Sequence, residues 1–441
     1  MALCLGYFMV ILDNTIVNVA IPALHADLRA GVAGLQWVVD GYLLMFAAGL
    51  LTGGALADRV GARKIFQLGL GVFVVASAGC GLAPSTAVLV IARLVQGAGA
   101  ALSVPASLAL LRAAFPDSSA RARAIGVWGG IAGLAAATGP ILGGVLVSAA
   151  SWRLVFFVNL PIGLLAMALT ARYVPAAPGR PSKLDPPAQL TGVLALAALT
   201  FALIQGGHGG LTPLVAVAIG VFVAATIAFV LIERRVAAPM LPLGLFGDAT
   251  FTGGAVVGLL INLGFYGELF VLNLYFQQQL HYSALIAGVA LLPQMAVVAT
   301  GSALSGRFTA RTGGPRATML IGLLVGGAGL LGLMAAGAHT GYPVLIVPLL
   351  AAGFGMSFTM PAATTAVVEA VPPERAGLAS GVVNAARQVG GVVGIALLGV
   401  LVSGDAEQFV AGLRVAMAIA GAAFLLGAAL TTLTVSRTRQ E

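Results

Sequence analysis

Long apolar stretches joined by short polar loops are the feature that most constrains this chain. A helix that crosses a membrane needs roughly 20 apolar residues, and about fourteen such stretches can be counted along the sequence. Only 8% of the residues are charged and 60% are hydrophobic, whereas soluble domains contain about 25% charged residues. Because so few charges cannot cover a surface that faces water, a large soluble helical core is excluded and an all-α integral membrane protein is predicted.

The predicted spans form two bundles of six helices with two helices inserted between them. The first bundle covers residues 1–174, a cytoplasmic linker and the inserted helices cover 175–249, and the second bundle covers 250–441. Internal repetition supports this division, because the charged loop GALADRVGARK at 54–64 has a weaker counterpart at 301–316. The predicted spans are 2–22, 36–57, 66–84, 87–111, 123–148, 153–173, 189–207, 212–232, 250–276, 284–306, 317–337, 342–367, 377–402 and 409–434.

The loops differ in charge, and the difference predicts the orientation in the membrane. Short loops rich in Arg and Lys stay on the cytoplasmic side. The loops of one side carry only Arg29, Arg153 and Arg414, so the other side and both termini are predicted to be cytoplasmic. The net charge of +8 follows from these loops, and nucleic acid is not a predicted partner. The basic residues of the cytoplasmic set are Arg59, Arg63, Lys64, Arg112, Arg121, Arg123, Arg172, Arg180, Lys183, Arg234, Arg235, Arg307, Arg311, Arg316, Arg375, Arg437 and Arg439.

Asp13 is the first candidate for a functional residue. It lies about halfway along the first span, with Asn14 and Asn18 beside it. A carboxylate at that depth costs several kcal/mol, so it must face a cavity, find a partner or take up a proton. Such a group can exchange a proton for a cationic substrate, which is the minimal mechanism of proton/cation antiport. The alternative is a structural aspartate that is hydrogen-bonded to a neighbouring helix.

Glu268 is a further carboxylate inside a span, and Tyr266 lies near it. A carboxylate beside aromatic rings suits a lipophilic cation, through charge attraction and cation–π contact. The neighbouring aromatic residues, Phe265, Phe270 and Tyr275, are equally typical of packing that faces lipid or the membrane interface. Glu268 is therefore predicted to act in substrate binding or in proton coupling.

Two opposite charges lie at similar depth in the second and fourth spans. Asp40 and Arg93 can pair and so reduce the cost of burying each other. Two interpretations of Asp40 follow, a structural ion pair with Arg93 and a contact with the substrate. Gln96 follows Arg93 by one turn on the same helix face.

A further polar patch lies in the thirteenth span. Arg387 has Asn384 one turn before it and Gln388 directly after it. An arginine at this depth must face a cavity or a carboxylate. Lining of a substrate cavity and a structural lock are the two alternatives for Arg387 and Asn384.

Five motifs in the expected order resemble those of the major facilitator superfamily (MFS), and specifically its fourteen-helix drug/proton antiporter branch. One departure from the pattern is Ala62, which stands where the loop motif usually has Arg. The matching stretches are LDNTIVNVAIP at 12–22, GALADRVGARK at 54–64, RLVQGAGAA at 93–101, ATGPILGGVL at 137–146 and WRLVFFVNLPIG at 152–163.

The resemblance implies roles for two of these motifs. The loop motif would control conformational change, with Asp58 bonding the positive N-terminal end of span 13, although the same charges also act as a simple topological signal. The fifth-helix motif would form a tight seam that limits leakage. The alternative is ordinary close packing of helices, which has the same physical basis. The loop residues are Gly54, Asp58, Arg59, Gly61 and Arg63, and the fifth-helix residues are Gly139, Pro140, Gly143 and Gly144.

Together these observations predict a bacterial inner-membrane multidrug exporter that is driven by proton antiport and works by alternating access. Its partners would be protons, the lipid bilayer and a small lipophilic substrate such as a lipophilic cation, and the protein would be a monomer. The alternatives are an exporter dedicated to one metabolite or antibiotic, and a proton-coupled importer. A membrane enzyme is disfavoured because no paired catalytic motif appears, and neither a metal nor a cofactor is predicted.

Overall fold

The computed structural model describes residues 2–115, 117–175, 185–236, 239, 241–337, 340–372, 375–402 and 406–435. Several residues used above lie outside this part of the chain. They are Arg180 and Lys183 of the predicted linker, together with Arg437 and Arg439 at the C-terminus. The structure also gives no account of the side chains of Arg121 and Arg123.

Helices make up the described part of the chain, and no strand occurs in it. Each apolar stretch predicted from the sequence overlaps one of these helices. Their bounds are α1 Ala2–Leu28, α2 Val32–Val60, α3 Ala62–Gly81, α4 Thr86–Ala114, α5 Ser118–Ala149, α6 Leu154–Phe157, α7 Asn159–Tyr173, α8 Pro186–Gly209, α9 Pro213–Arg235, α10 Ala249–Leu274, α11 Ala284–Ala290, α12 Leu292–Arg311, α13 Pro315–Gly332, α14 Tyr342–Glu369, α15 Ala376–Val400 and α16 Ala406–Thr434.

Twelve helical segments of the described residues are long and apolar enough to cross a membrane. The pair α11 and α12, which is bent by 41°, raises the number to 13 if it forms one span. Within α5 the shorter apolar stretch Gly133–Ala149 is found. An all-helical membrane protein is therefore confirmed, while the count of fourteen spans and the cytoplasmic position of both termini stay predictions.

The helices cluster into two compact units, of which the first comprises Met1–Leu199, Ala216–Met240 and Ser283–Val289. Within it α4 packs against α2 and α3, and α1 packs against α5 and α7. Gly97 of α4 lies directly on the carbonyl oxygen of Tyr42 in α2, where any side chain would collide. The seam between α1 and α5 contains a stacked aromatic pair, Tyr7 and Trp128, with ring centroids 3.7 Å apart. The indole of Trp128 donates a hydrogen bond to Ser107 Oγ of α4 at 3.2 Å.

The second unit comprises Thr200–Val215, Leu241–Tyr282 and Ala290–Glu441. Within it α10 packs against α14, α15 and α16, and α13 packs against α14 and α16. Gly390 and Gly394 of α15 lie on the carbonyl oxygens of Leu259 and Leu263 in α10. Helix backbones can approach this closely only where a residue has no side chain.

The inserted helix α8 is divided between the units, with residues up to Leu199 in the first and residues from Thr200 in the second. Its first part is bound to α2 through Gln189, whose Nε2 donates to the Ala48 carbonyl at 2.7 Å and whose Oε1 accepts a hydrogen bond from Thr52. The domain boundaries predicted at 174 and 249 stay predictions.

The loop between α2 and α3 contains only Gly61, which adopts a φ of 107° and so favours glycine. Next to it, Arg63 donates a hydrogen bond to the Ala171 carbonyl of α7 at 2.6 Å. Asp58 and Arg59, at the end of α2, are exposed. The predicted contact between Asp58 and the start of span 13 stays a prediction.

Candidate functional site

A fully buried ion pair joins α1 to α4. Asp13 Oδ2 lies 2.5 Å from Arg93 Nη1, and both side chains are 0% exposed. Asp13 is in the middle of an otherwise apolar helix, so its charge is stabilised almost entirely by its protein partners. This pair is the centre of the candidate site.

Two amide side chains complete the shell around the Asp13 carboxylate. Its Oδ1 atom accepts hydrogen bonds from Gln96 Nε2 at 2.9 Å and from Asn159 Nδ2 at 2.8 Å. The same two amides donate to Ser77 Oγ of α3, at 2.6 and 3.1 Å respectively. The carboxylate therefore receives three donors from two helices, α4 and α7, and Ser77 of α3 holds both amides in place.

The Arg93 guanidinium is positioned by hydrogen bonds from its Nε and Nη1 atoms and by an aromatic ring. Its Nε donates to the Val38 carbonyl at 2.9 Å, and its Nη1 donates to Gln96 Oε1 at 2.8 Å. The guanidinium lies over the ring of Tyr42, 4.4 Å from the centroid. Tyr42 is itself fixed by a 3.1 Å hydrogen bond from its hydroxyl to the Val10 carbonyl of α1. A planar, multidentate cation fits this arrangement, and an ammonium group does not.

The predicted pairing of Asp40 with Arg93 is wrong. Arg93 gives its hydrogen bonds to Asp13, Gln96 and Val38 instead, because α4 presents its guanidinium to α1. Asp40 is 0% exposed, and neither of its carboxylate oxygens has a hydrogen-bond partner among the described residues. It is thus a buried carboxyl group that lies outside the Asp13 network.

The two asparagines predicted to line a cavity are buried in α1. Asn18 Nδ2 donates to the carbonyl of Asn14, one turn earlier, at 2.9 Å. Their exposed fractions are only 2% and 3%. Their predicted role in substrate contact is not tested by this geometry.

Glu268 forms a second buried polar contact, in the other unit. Both of its carboxylate oxygens accept hydrogen bonds from Gln294 Nε2 of α12, at 2.9 and 3.0 Å. The lipid-facing alternative is wrong for the aromatic residues around it, because Phe265, Phe270 and Tyr275 are all buried in helix contacts. Tyr266 is partly buried and packs edge-on against Phe265 with ring centroids 5.6 Å apart.

The polar patch of α15 is partly buried. Arg387 Nη1 donates to Asn384 Oδ1 at 3.0 Å, so the two residues act as one group. The aliphatic part of Arg387 packs beside Gly258 of α10. Its role as a cavity lining or as a lock stays a prediction.

The fifth-helix motif makes close contacts on two sides. Gly139 and Gly143 lie on Thr15 and Ile16 of α1, without space for a side chain. Gly144 lies on Leu285 of α11, a helix that clusters in the same unit. On the neighbouring turn, Gly288 of α11 lies on the carbonyl oxygen of Pro140 in the same way.

Sequence reasoning missed three residues of these networks. Asn159 and Gln294 carried a signal, since each is an amide in a strongly apolar stretch and must find a partner there. Ser77 carried none, because a serine in a membrane helix can bond its own backbone. Among the described residues no cluster of metal-binding side chains occurs.

Two packed units of apolar helices, each with a buried carboxyl group, define a multi-pass membrane transporter of the major facilitator type. The family match agrees: the chain matches the Major Facilitator Superfamily over residues 3–395 and therefore belongs to it. The family and the fold are those of transporters, not enzymes. The apolar helices and the family together show a multi-pass protein of the plasma membrane.

Named relatives are resistance proteins. The chain is 41% identical over 430 residues to the "Methylenomycin A resistance protein" of Streptomyces coelicolor, covering 97% of this chain and 90% of the relative. It is 39% identical over 397 residues to the "Multidrug resistance protein Stp" of Mycobacterium tuberculosis, covering 90% of this chain and 74% of the relative. Among solved structures, a bacterial homologue of the human lysosomal transporter Spinster has a TM-score of 0.71 at 17% identity, and the match covers 98% of this chain and 95% of that one. This last likeness shows the fold alone.

Proposed function

We propose that this protein is a secondary transporter that exports drugs from the cell in exchange for protons, by alternating access. The observation that carries the proposal is the buried pair of Asp13 and Arg93, in a chain whose relatives are resistance proteins. A transporter protects a cell from a drug by removing it, so the names of the relatives support export rather than import. The buried carboxylate supplies a group that can bind a proton.

The geometry around Asp13 suggests how proton binding drives a conformational change. A proton on Asp13 Oδ2 would neutralise the carboxylate and leave the Arg93 charge without its partner. An uncompensated buried cation costs several kcal/mol, which favours a rearrangement of α1 against α4. Return of the proton to water restores the ion pair. An inward-moving proton gains roughly 2.3 kcal/mol per 100 mV of membrane potential, which supports its use as the energy source.

The remaining candidates are assigned secondary roles in the proposal. Asp40 and Glu268 are further carboxyl groups for proton or substrate coupling, and Arg93 controls the charge of Asp13. The substrate would contact the polar side chains of the spans. The loop motif at 54–64, which contains Gly61, would control conformational change. The proposed substrate contacts are Asn14, Asn18, Gln96, Tyr266, Asn384 and Arg387.

The fourteen-helix branch is also part of the proposal. Helix α5 extends from Ser118 to Ala149 and is long enough to be one more span beside the 13 already counted. With fourteen spans, both termini would lie on the same side of the membrane. The charge distribution of the loops favours the cytoplasm as that side. We also propose that the protein is a monomer and that its substrate is lipophilic.

A second candidate function is export of one particular antibiotic. The observation that favours it is the name of the relative at 41% identity, which refers to a single compound. A screen of chemically unrelated drugs separates the two functions. Resistance to several classes supports multidrug efflux, and resistance to one compound alone supports the dedicated exporter.

Inside-out membrane vesicles provide the test of proton exchange. A proton gradient is imposed and followed with a pH-sensitive dye, and lipophilic cations, neutral drugs and anions are added in turn. A drug that collapses the gradient with the wild-type protein is expected to have no effect with Asp13→Asn. The matched control is Asp27→Asn, which removes a carboxylate from the same helix at an exposed position, 48% accessible and paired with Arg153. If Asp13→Asn behaves as the control does, Asp13 is structural and the proposed coupling is wrong.

A further inference from the structure

Among the described residues no cation pairs with Glu268, unlike Asp13. Its carboxylate is 0% exposed, and both of its hydrogen bonds come from the neutral amide of Gln294. Neither ion pair of the described residues includes it, since these are Asp13 with Arg93 and Asp27 with Arg153. A buried carboxylate without a cation is costly, and protonation is the simplest way to remove that cost.

Charged groups on the surrounding helices lie away from Glu268. Arg387 of α15 packs beside Gly258, ten residues before Glu268 on α10, which corresponds to about 15 Å along the helix. Arg414 near the start of α16 is exposed. Helix α14 has only Glu369 at its C-terminal end, and α12 has Arg307 and Arg311 in its last turns. None of these forms a hydrogen bond or an ion pair with Glu268.

Gln294 can serve both the charged and the neutral carboxyl group. Its Nε2 donates to both oxygens of the ionised form, at 2.9 and 3.0 Å. Its Oε1 is buried and accepts no hydrogen bond among the described residues, so a half-turn of the amide would present an acceptor to the O–H of a protonated Glu268. Gly353 of α14 packs closely against Gln294, and a side chain at this position would collide with the Gln294 carbonyl oxygen and Cγ.

From this geometry we propose that Glu268 and Gln294 form a second proton-binding site, independent of Asp13, with Gln294 as its positioning residue. The ligand is a proton, because the carboxyl group is completely enclosed in this structure and no larger cation reaches it. Binding forms an O–H bond on Glu268 and turns the Gln294 amide, and release to water reverses both changes. The role of this site in transport rests on the proposed function.

Asp40 is buried too, but it does not offer the same chemistry. No donor is in contact with either of its oxygens among the described residues, so nothing stabilises its ionised form in this conformation. Glu268 has a partner for each state. The step between its two protonation states therefore needs only a turn of the Gln294 amide, while exchange of the proton with water requires the site to open.

Infrared spectroscopy of the purified full-length protein in lipid nanodiscs tests the proposal without any substrate. A protonated carboxyl group has a C=O stretching band that shifts in D₂O, and its intensity is followed as the pH is raised. We expect Glu268→Gln to remove one such band and Asp13→Asn to leave that band in place. In Gln294→Leu the band should persist to a pH about one unit higher, because the ionised form loses hydrogen bonds to both oxygens, which are stronger than the single bond that the neutral form loses.

Asn273→Leu is the matched control for Gln294→Leu. Asn273 is a buried amide on α10 that bonds only the Leu269 carbonyl of its own helix, at 3.0 Å. This control should leave the pH dependence of the Glu268 band unchanged. If Glu268→Gln loses no band, or if Gln294→Leu and Asn273→Leu titrate alike, the inferred site is wrong. If the bands behave as expected but no drug moves protons in vesicles, the site stands and the proposed antiport fails.

Discussion

At the scale of single residues, the carboxyl groups of the spans differ in how their charge is compensated. Asp13 has an arginine and two amides, Glu268 has one amide, and Asp40 has no hydrogen-bond partner among the described residues. Burial alone does not separate them, since all three are 0% exposed. The three carboxyl groups therefore differ in chemistry because they differ in their hydrogen-bond and ion-pair partners.

The Asp13–Arg93 pair should show strong coupling in a double-mutant cycle. Asp13→Asn and Arg93→Gln each leave one buried charge without its partner, and each should cost about 3–5 kcal/mol of stability. The double variant has two neutral amides at these positions and should recover much of that loss. Thermal unfolding in detergent, followed by circular dichroism, measures the three variants against the wild type. Simple addition of the two single losses would contradict the pairing.

Arg93→Lys is expected to be inactive although it keeps the charge. Lysine cannot reach Val38, Gln96 and Asp13 with the planar geometry of the guanidinium, and it loses the stacking on Tyr42. Drug-dependent proton movement in inside-out vesicles measures the effect. The control Arg153→Lys alters an arginine that is 35% exposed and pairs with Asp27, and it should retain transport. Full activity of Arg93→Lys would mean that only the charge matters.

Asn159 tests whether the shell around Asp13 is needed for stability. Asn159→Leu removes donors to Asp13 and Ser77 and should cost about 1–3 kcal/mol, because buried acceptors lose a partner. Thr170→Val on the same helix is the comparison, since Thr170 bonds only the Ala166 carbonyl one turn earlier. Its thermal midpoint should change much less than that of Asn159→Leu. Equal shifts would remove Asn159 from the network.

Much of the site could be predicted from the sequence, but the partners of each group could not. Asp13, Arg93 and Glu268 stand out because charge is rare in a span. The sequence does not say how far a helix is rotated, and rotation decides that Arg93 faces Asp13 and not Asp40. Gln294 lies in an apolar stretch, and only the structure reveals that it contacts Glu268 of α10.

At the scale of helices, close packing depends on glycines at a few defined places. Span positions could be predicted because apolar length is a local property. The bend of 41° between α11 and α12 and the division of α8 could not, since they depend on contacts with other helices. The seam of α10 and α15 has glycines at Gly390 and Gly394 because a side chain there would collide with the backbone of α10.

A single alanine should disrupt that seam. In Gly394→Ala the new methyl group collides with the carbonyl oxygen of Leu263, a backbone atom that cannot turn aside, and a loss of about 1–3 kcal/mol is expected. The same substitution at Gly220 of α9 meets no atom within 4 Å and should be neutral or stabilising by up to about 1 kcal/mol. Thermal midpoints in detergent compare the two. A neutral Gly394→Ala would show that the backbones can separate at no cost.

At the scale of the whole molecule, the orientation in the membrane is the main open prediction. Gly31→Cys places a thiol at an exposed position between α1 and α2, and Arg59→Cys places one at the exposed end of α2. In a Cys4→Ser background, a membrane-impermeant maleimide added to intact cells should label the first variant only. Permeabilised cells should label both. The reverse pattern would place the termini outside the cell.

The stack of Tyr7 on Trp128 has an optical consequence. Indole emission depends strongly on neighbouring groups, and this indole lies parallel to a phenol ring and bonds Ser107. The chain contains three tryptophans, so replacing Trp37 and Trp152 with phenylalanine would leave one fluorophore on the seam between α1 and α5. The emission maximum and intensity of Trp128 would then report, without any added dye, a movement of α1, which carries Asp13, away from α5.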